Sequence, residues 1–277
     1  VVDVVRVFPH VQTQDRGVAR SDSLHQGAVL VGAALYFFQD KLLFHPEKLP
    51  VNYRFEFSIP FKQVDVSLDN ETNLSIVQFV VPDSLNKGVV LYFHGNKGNI
   101  NRYAPFAEHF TRNYYEVWMI DYPGFGKTTG KISEERLYSD ALILYKMARS
   151  RFSTDNIIIY GKSIGTGIAA QLASIRDCRQ LILETPYYST HSLARRLFPV
   201  YPSLLKYDLK TAEHLDKIKI PVTLLHGTDD WTVPYSQSKK IIEKHPQVKL
   251  ISFKDGEHNN LHTYPKFQQA IDSLLRY

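Results

Sequence analysis

The sequence predicts an α/β fold in which a mostly parallel, eight-stranded sheet is flanked by helices and carries a short helical cap. Short, continuously apolar runs recur along the chain, and stretches with helical periodicity separate most of them. Such alternation is typical of a parallel sheet whose two faces are both covered. The chain has 277 residues, which is enough for one large domain of this class.

The strands are predicted from two kinds of pattern. Apolar and polar side chains alternate over residues 62–68 and 74–81, on either side of an Asp69-Asn70-Glu71 turn, which indicates an antiparallel pair. Apolar runs predict six further strands, at 89–93, 116–120, 156–160, 181–183, 222–225 and 248–253. Helices are predicted at roughly 101–112, 133–151, 164–176, 234–245 and 260–276. Ligands of such sheets bind beyond the carboxyl ends of the strands, so residues that directly follow a strand are the candidates for a site.

The N-terminal region and the segment 186–219 depart from this regular pattern. We expect residues 1–27 to be poorly ordered or foreign to the native chain, and 28–46 to form an apolar N-terminal helix. Its apolar run is shorter than the roughly 20 residues of a spanning helix, so a truncated membrane anchor, an interfacial helix and a packed helix all stay open. A membrane-associated and a cytoplasmic location stay open with them. Residues 47–277 are predicted to form the domain, with a small aromatic cap at about 186–219.

Ser163 is the candidate nucleophile, because it stands in a G-x-S-x-G motif between a predicted strand and a predicted helix. This context is typical of a serine exposed on a sharp, strained turn, with glycines where side chains would collide. The same residues end a phosphate-loop pattern, G-x-x-x-x-G-K-[ST]. That pattern needs glycine at position 156, which is Asn156, and 157–160 are predicted as buried strand. Nucleotide binding is therefore the disfavoured alternative.

Candidates for a base and an acid follow Ser163 in the order typical of such a nucleophile. Asp229 and Asp230 come after a predicted strand, and either carboxylate can orient and stabilise an imidazolium. His258 comes after the next strand and is the candidate base, which takes the proton from the serine and returns it to the leaving group. His262 lies near enough along the chain to compete with it.

Acyl transfer also needs hydrogen-bond donors for an oxyanion. The backbone N–H of Ile164, next to the nucleophile, is one candidate, and the backbone N–H of Asn96, in the loop after the 89–93 strand, is the other. His94 and His226 each precede a glycine at a strand end and are interpreted as structural. The turn at 121–126 is interpreted as a structural border of the site.

Composition and charge restrict the partners and cofactors. The net charge is +5 without any long run of basic residues, which argues against nucleic acid as a partner. Cys178 is the single cysteine, so it cannot form an internal disulfide, and it has no companion ligands at metal spacing. We interpret it as a small core-edge residue. We expect no cofactor and no metal, and the sequence does not predict the oligomeric state.

These motifs together resemble the α/β-hydrolase superfamily and, more narrowly, its membrane-anchored α/β-hydrolase-domain branch, in a bacterial-type form. The resemblance rests on H-G-N-x-G-N at 94–99, D-Y-x-G-[FY]-G at 121–126, G-x-S-x-G-T-G at 161–167, H-G-T-x-D-x-x-V-P at 226–234 and G-x-H-N at 256–259. Residues 39–46 (QDKLLFHP) are similar to the stretch that follows the N-terminal membrane helix of that branch. The resemblance implies that the acid is Asp230 and not Asp229.

The leading hypothesis is a serine hydrolase that cleaves a small-molecule or acyl ester or thioester through an acyl-enzyme. An amidase or aminopeptidase with the same triad is an alternative, although 186–219 is shorter and less acidic than the caps of peptidases of this fold. A non-catalytic, hydrolase-like binding module is a third hypothesis. A membrane surface is a further candidate partner of the N-terminal segment.

Overall fold

The computed structural model describes residues 33, 36–197 and 205–276. Within this part of the chain, eight strands form one sheet: β2 (Phe61–Ser67), β3 (Asn73–Phe79), β4 (Gly88–Phe93), β6 (Tyr115–Ile120), β7 (Ile157–Lys162), β8 (Gln180–Glu184), β9 (Val222–Gly227) and β10 (Lys249–Phe253). Two short strands, β1 (His45–Pro46) and β5 (Lys97–Gly98), pair with each other.

The strand order across the sheet is β10-β9-β8-β7-β4-β6-β3-β2. β3 runs antiparallel to both of its neighbours, β2 and β6, and all other neighbouring strands are parallel. The turn between β2 and β3 is closed by the Asp69 carboxylate, which accepts hydrogen bonds from the backbone N–H groups of Glu71 and Thr72. The predicted α/β fold with a mostly parallel eight-stranded sheet is confirmed.

Helices connect the strands. They are α1 (36–43), α2 (Ile100–Tyr103), α3 (Glu108–Thr111), α4 (Glu134–Arg149), α5 (Gly165–Ile175), α6 (Thr190–Leu197), α7 (Thr211–Leu215), α8 (Ser236–Lys244) and α9 (Pro265–Leu275). The predicted 101–112 helix is interrupted by a 3₁₀ turn over Ala104–Ala107, because Pro105 in its first turn has no N–H to donate to the preceding turn. Ser133 begins α4, where its hydroxyl accepts the Arg136 N–H.

Two apolar cores cover the two faces of the sheet. On one face Leu91 of β4 lies in the same core as Leu144 of α4 and Ile168 of α5. On the other face Tyr92, its neighbour in β4, lies in the core that includes Phe110 of α3. All residues of β4 are buried, which explains why its sequence is continuously apolar rather than alternating. The packed layers fix the strand ends, and these ends position the site.

The N-terminal region and the predicted cap are described in part. Residues 36–43 are helical and His45–Pro46 form β1, so the predicted helix over 28–46 is wrong at its C-terminal end, where it stops at Leu43. The expectation for residues 1–27 lies outside the described residues. In the part of the chain that the structure describes, no helix has both the length and the apolar character needed to cross a bilayer. Between 186 and 219, α6 and α7 are helical, and 198–204 are outside the described ranges. The predicted domain boundaries stay a prediction.

Candidate active site

Ser163 lies on the sharp turn between β7 and α5, where its φ of 53° is in the left-handed region. A Cβ on Gly161 would lie 2.5 Å from the carbonyl oxygen of Gly165, and a Cβ on Gly165 would lie 2.2 Å from that of Phe93. Both motif glycines are therefore required by close backbone approach. β7 is a buried strand directly before this turn, where a phosphate-binding loop would need an open cradle.

Three of the predicted side chains meet at the carboxyl ends of β7, β9 and β10. His258 Nε2 lies 3.0 Å from Ser163 Oγ, and His258 Nδ1 lies 2.7 Å from Asp230 Oδ2. Asp230 accepts only, so Nδ1 carries the hydrogen and Nε2 is left to accept from the serine hydroxyl. Asp229 is exposed, and its N–H donates to the carbonyl of Gly256. The structure thus brings Asp230, and not Asp229, to His258.

The carboxylate of Asp230 is buried and receives several hydrogen bonds. Its Oδ1 accepts the backbone N–H groups of Thr232 (2.9 Å) and Val233 (2.7 Å), and His226 Nε2 lies 3.3 Å from Oδ2. Burial alone would raise the pKa of Asp230, but the hydrogen bonds from His226, His258 and the Val233 N–H outweigh it and lower that pKa to about 2. Asp230 therefore stays ionised when the imidazole next to it becomes charged.

His226 contacts this carboxylate, a role that sequence reasoning missed. Its Nδ1 lies 2.6 Å from Ser238 Oγ, and its Nε2 lies 2.9 Å from the Val233 carbonyl oxygen as well as near Asp230. The ring therefore fixes the loop that carries the acid, in agreement with its interpretation as structural. The signal in the sequence was its position at a strand end, four residues before Asp230.

The two predicted oxyanion donors lie in the loops that follow two neighbouring strands of the sheet, β4 and β7. Asn96 follows β4, and Ile164 precedes the first residue of α5. Neither backbone N–H donates a hydrogen bond to another group of the described residues, so both stay candidates for binding an oxyanion. Gly95 brings the first loop close to the nucleophile, because a Cβ there would lie 3.6 Å from Ser163 Cβ and 2.8 Å from Tyr103 Oη.

A buried contact between the side chains of His94 and Asp121 supports this loop. Both are fully buried, and His94 Nε2 lies 3.3 Å from Asp121 Oδ1, which also accepts the Ile100 N–H at 2.9 Å. Tyr122 Oη donates to the His94 carbonyl oxygen at 2.7 Å. Burial raises the pKa of Asp121, although His94 partly opposes the shift. These contacts agree with the interpretation of His94 and of the 121–126 turn as structural.

A buried ion pair beneath the nucleophile is the second feature that sequence reasoning missed. Lys162, inside the G-x-S-x-G motif, contacts the carboxylate of Glu184 through its Nζ, and both side chains are less than 5% exposed. Tyr160 Oη donates to the same carboxylate, and the Glu184 carbonyl oxygen accepts the Ser163 N–H at 2.9 Å. Lys162 and Glu184 are paired residues at the ends of neighbouring strands, which only the register reveals.

The remaining candidates lie apart from this chemistry. His262 packs edge-on against Phe106, and burial, together with the charge of Lys162, lowers the pKa of its imidazole. Burial raises the pKa of the Cys178 thiol to about 12, as for an inert core residue. Among the described residues no cluster of three or more His, Cys, Asp and Glu side chains is arranged to hold a metal ion.

A family model described as serine aminopeptidase, S33, matches residues 84–206. Among curated proteins, alpha/beta hydrolase domain-containing protein 17C of Xenopus tropicalis is 29% identical over 193 residues, which cover 68% of this chain and 61% of that protein. The chain therefore spans about three fifths of the length of the curated relatives that it matches.

Solved structures of hydrolases share the fold. An esterase from Pyrococcus furiosus superposes with a TM-score of 0.65 at 18% identity, over 84% of this chain and 97% of that chain. Est1E from Butyrivibrio proteoclasticus, solved with bound ferulic acid, gives 0.64 at 19% identity, over 76% of this chain and 97% of that one. At 18% and 19% identity, this structural similarity establishes that the fold is shared.

Proposed function

We propose that this chain is a serine hydrolase of the α/β-hydrolase superfamily that cleaves a carboxylic ester or thioester. The observation that carries the proposal is the chain of contacts from Ser163 Oγ through the His258 ring to Asp230, at 3.0 and 2.7 Å. It is the geometry of a nucleophile, a general base and an orienting acid. The chemistry requires no metal or cofactor.

In the acylation step Ser163 Oγ attacks the carbonyl carbon while His258 Nε2 takes the hydroxyl proton. The carbonyl electron pair moves to oxygen, and the N–H groups of Asn96 and Ile164 stabilise the oxyanion. When the intermediate collapses, the C–O or C–S bond breaks and His258 returns the proton to the alcohol or thiol. Asp230 stabilises the imidazolium throughout.

Deacylation repeats these steps with water as the nucleophile. Water attacks the ester of Ser163 while His258 takes one of its protons. The tetrahedral intermediate then expels the serine oxygen, which recovers its proton from His258, and the carboxylic acid leaves. The enzyme returns to its starting state, as a catalyst must.

Fluorophosphonate labelling tests this proposal. Wild-type protein is expected to label and to hydrolyse p-nitrophenyl esters, and Ser163→Ala to do neither, with a loss in kcat of about 10⁶-fold. Ser174→Ala, which removes a hydroxyl from α5, the helix that follows the Ser163 turn, is the matched control. Equal labelling of Ser163→Ala, or no labelling of the wild type, would support the non-catalytic binding module instead.

An aminopeptidase is the second candidate, because the matching family model carries that description. Such an enzyme needs an unpaired carboxylate for the amine of its substrate. In the described part of the cap, Asp208 and Glu213 both pair with Lys210, at 3.3 and 3.2 Å. Because these carboxylates already have a cationic partner, an ester substrate is favoured over a peptide with a free amine. A panel of p-nitrophenyl esters and aminoacyl p-nitroanilides separates the two, and preferential cleavage of the anilides would favour the peptidase.

The outer face of α1 supports contact with a membrane surface. Phe37 and Phe38 are 70% and 54% exposed, and Lys41 lies 5.6 Å from the Phe38 ring, so apolar and basic groups share this face. Wild-type protein is expected to sediment with anionic phosphatidylserine vesicles, and a Phe37→Ser/Phe38→Ser variant to stay in the supernatant. Equal sedimentation of both proteins would contradict this contact.

A further inference from the structure

Residues 36–49, called the strap, lie against the loop that carries one proposed oxyanion donor. Asn96 Nδ2 donates to the Leu43 carbonyl oxygen at 2.8 Å, and the His45 N–H donates to the Asn96 carbonyl oxygen at 2.8 Å. The Glu47 N–H donates to the Gly98 carbonyl oxygen at 2.9 Å, which extends the parallel pairing of β1 with β5. The strap thus holds this loop through both backbone and side chain.

The same strap fastens the neighbouring turn, 121–126. The Glu47 carbonyl oxygen accepts both the Gly126 N–H at 3.0 Å and Asn99 Nδ2 at 2.9 Å, and the Leu49 N–H donates to the Gly126 carbonyl oxygen at 2.8 Å. A Cβ on Gly126 would lie 2.0 Å from Asp121 Oδ2, so the turn lies in close contact with Asp121, which supports the oxyanion loop. Glu47 of the strap is therefore bonded both to the oxyanion loop and to the 121–126 turn.

At its other end the strap is bound to the cap. The Lys206 N–H donates to Gln39 Oε1 at 2.7 Å, and Tyr207 Oη donates to Asp40 Oδ1 at 2.8 Å. The Tyr207 ring packs edge-on against Phe44, with 5.0 Å between ring centroids, and Phe44 is buried. The strap therefore forms a continuous connection from the cap to the oxyanion loop.

We infer that the strap holds the Asn96 N–H in its catalytic position, so that Asn96 acts as a positioning residue through its side chain. This inference rests on the proposed function. The Asn96 side-chain N–H group is already bonded to Leu43, and the loop has glycines at 95 and 98, the residue type that restricts its own backbone least. Catalytic donors must be held to within about 0.5 Å, so an external restraint on this loop affects the rate.

Kinetics of Asn96→Ala test the inference, since alanine keeps the backbone N–H and removes only the bond to Leu43. Complete loss of one oxyanion donor costs about 10²–10³ in kcat, and we expect a misplaced donor to cost about tenfold, with KM changed by less than about twofold. A trifluoromethyl ketone forms an oxyanion on Ser163, so its inhibition constant is expected to rise by the same factor.

Tyr207→Phe tests the strap from the cap end, at a residue that contacts the strap and is not part of the triad. It removes the hydroxyl that contacts Asp40 Oδ1 at 2.8 Å and the Ile132 carbonyl oxygen at 3.3 Å, and it keeps the ring against Phe44. We expect kcat to fall by about threefold with an unchanged KM, because the donor is loosened and not removed, and the melting temperature to fall by no more than about 4 °C for the lost hydrogen bond. Leu42→Ala, on α1 like Asp40 but 51% exposed, is the matched control and is expected to behave as wild type.

An unchanged kcat in Asn96→Ala would overturn the inference, as would a fall in kcat without a matching rise in the inhibition constant of the ketone. Wild-type activity in Tyr207→Phe would overturn it too, and this variant carries the test if Asn96→Ala does not fold. Failure of the proposed function is a different result, because wild-type protein would then neither label with fluorophosphonate nor turn over any ester.

Discussion

The ion pair between Lys162 and Glu184 offers a stability test of the turn that carries Ser163. The two charges are 4% and 0% exposed, so neither can be solvated when its partner is removed. Lys162→Met leaves the Glu184 carboxylate with Tyr160 as its remaining donor, and Glu184→Gln leaves the Lys162 ammonium without a carboxylate partner. Each single substitution therefore creates an uncompensated buried charge, whereas the double substitution creates none.

The magnitudes follow from this burial. Removing one partner of a buried pair costs about 3–5 kcal/mol, whereas replacing both partners by neutral groups is often close to neutral. We expect each single variant to lose about 3–5 kcal/mol of unfolding free energy and the double variant to lie within about 1 kcal/mol of wild type. At about 2–4 °C per kcal/mol, the melting temperature of each single variant falls by about 6–20 °C.

Urea denaturation of the wild type, both single variants and the double variant measures these free energies. Lys244→Met, which breaks the exposed pair with Asp216 (39% and 47% exposed), is the matched control and is expected to cost less than about 1 kcal/mol. Losses in the single variants as small as in this control would refute the reasoning. Additive losses in the double variant would refute it as well, because they would mean that Lys162 and Glu184 act independently.

Other consequences follow from individual contacts. Asp230→Asn is expected to lower kcat by about 10⁴-fold, because Asn can hold the imidazole in the wrong tautomer; retention of a tenth of the activity would argue against the triad. The folded-state pKa of Asp230 lies below its ordinary value of 3.8, at about 2, so its contribution to stability is full above the ordinary value and is lost as pH falls toward 2. Urea unfolding between pH 5 and 2.5 should therefore show a weaker acid dependence for Asp230→Asn than for wild type. Gly165→Ala places a methyl group 2.2 Å from the Phe93 carbonyl oxygen and is expected to abolish folding or ester hydrolysis. Gly124→Ala, at φ 87° with open space around it, should cost about 1 kcal/mol of unfolding free energy and leave kcat unchanged. Similar behaviour of the two variants in thermal denaturation would contradict the steric argument. Cys178 should resist a disulfide reagent in the native state and react in urea, because burial raises the pKa of its thiol to about 12; rapid native reaction would contradict this burial.

The strands and the order of the site residues were predictable because they depend on local patterns. β4 is apolar throughout since both of its faces are buried, and β2 alternates since it is half exposed. The candidate nucleophile, acid and base all follow strands, and the parallel sheet brings those strand ends to one edge. The helix over 101–112 was wrong in one detail, because Pro105 breaks it into shorter turns.

Other features depend on contacts between distant parts of the chain and have no local signature. Lys162 and Glu184 are 22 residues apart, and only the register of β7 with β8 makes them neighbours. Asn96 and Leu43 are 53 residues apart and meet through a backbone carbonyl, which any residue type supplies. Spacing along the chain does not distinguish Asp229 from Asp230, because the choice depends on which of the two side chains the turn directs toward His258.

The strained turn at Ser163 is held from both sides of β7. On one side the Ser163 N–H donates to the carbonyl oxygen of Glu184, at the end of β8. On the other side Gly165 approaches the carbonyl oxygen of Phe93, at the end of β4, so closely that no side chain fits between them. A positive φ at a serine costs about 1–3 kcal/mol and persists only when its surroundings fix it. Because the two neighbouring strands provide that fixation, the position of the candidate nucleophile depends on the register of the central sheet and not on the G-x-S-x-G motif alone.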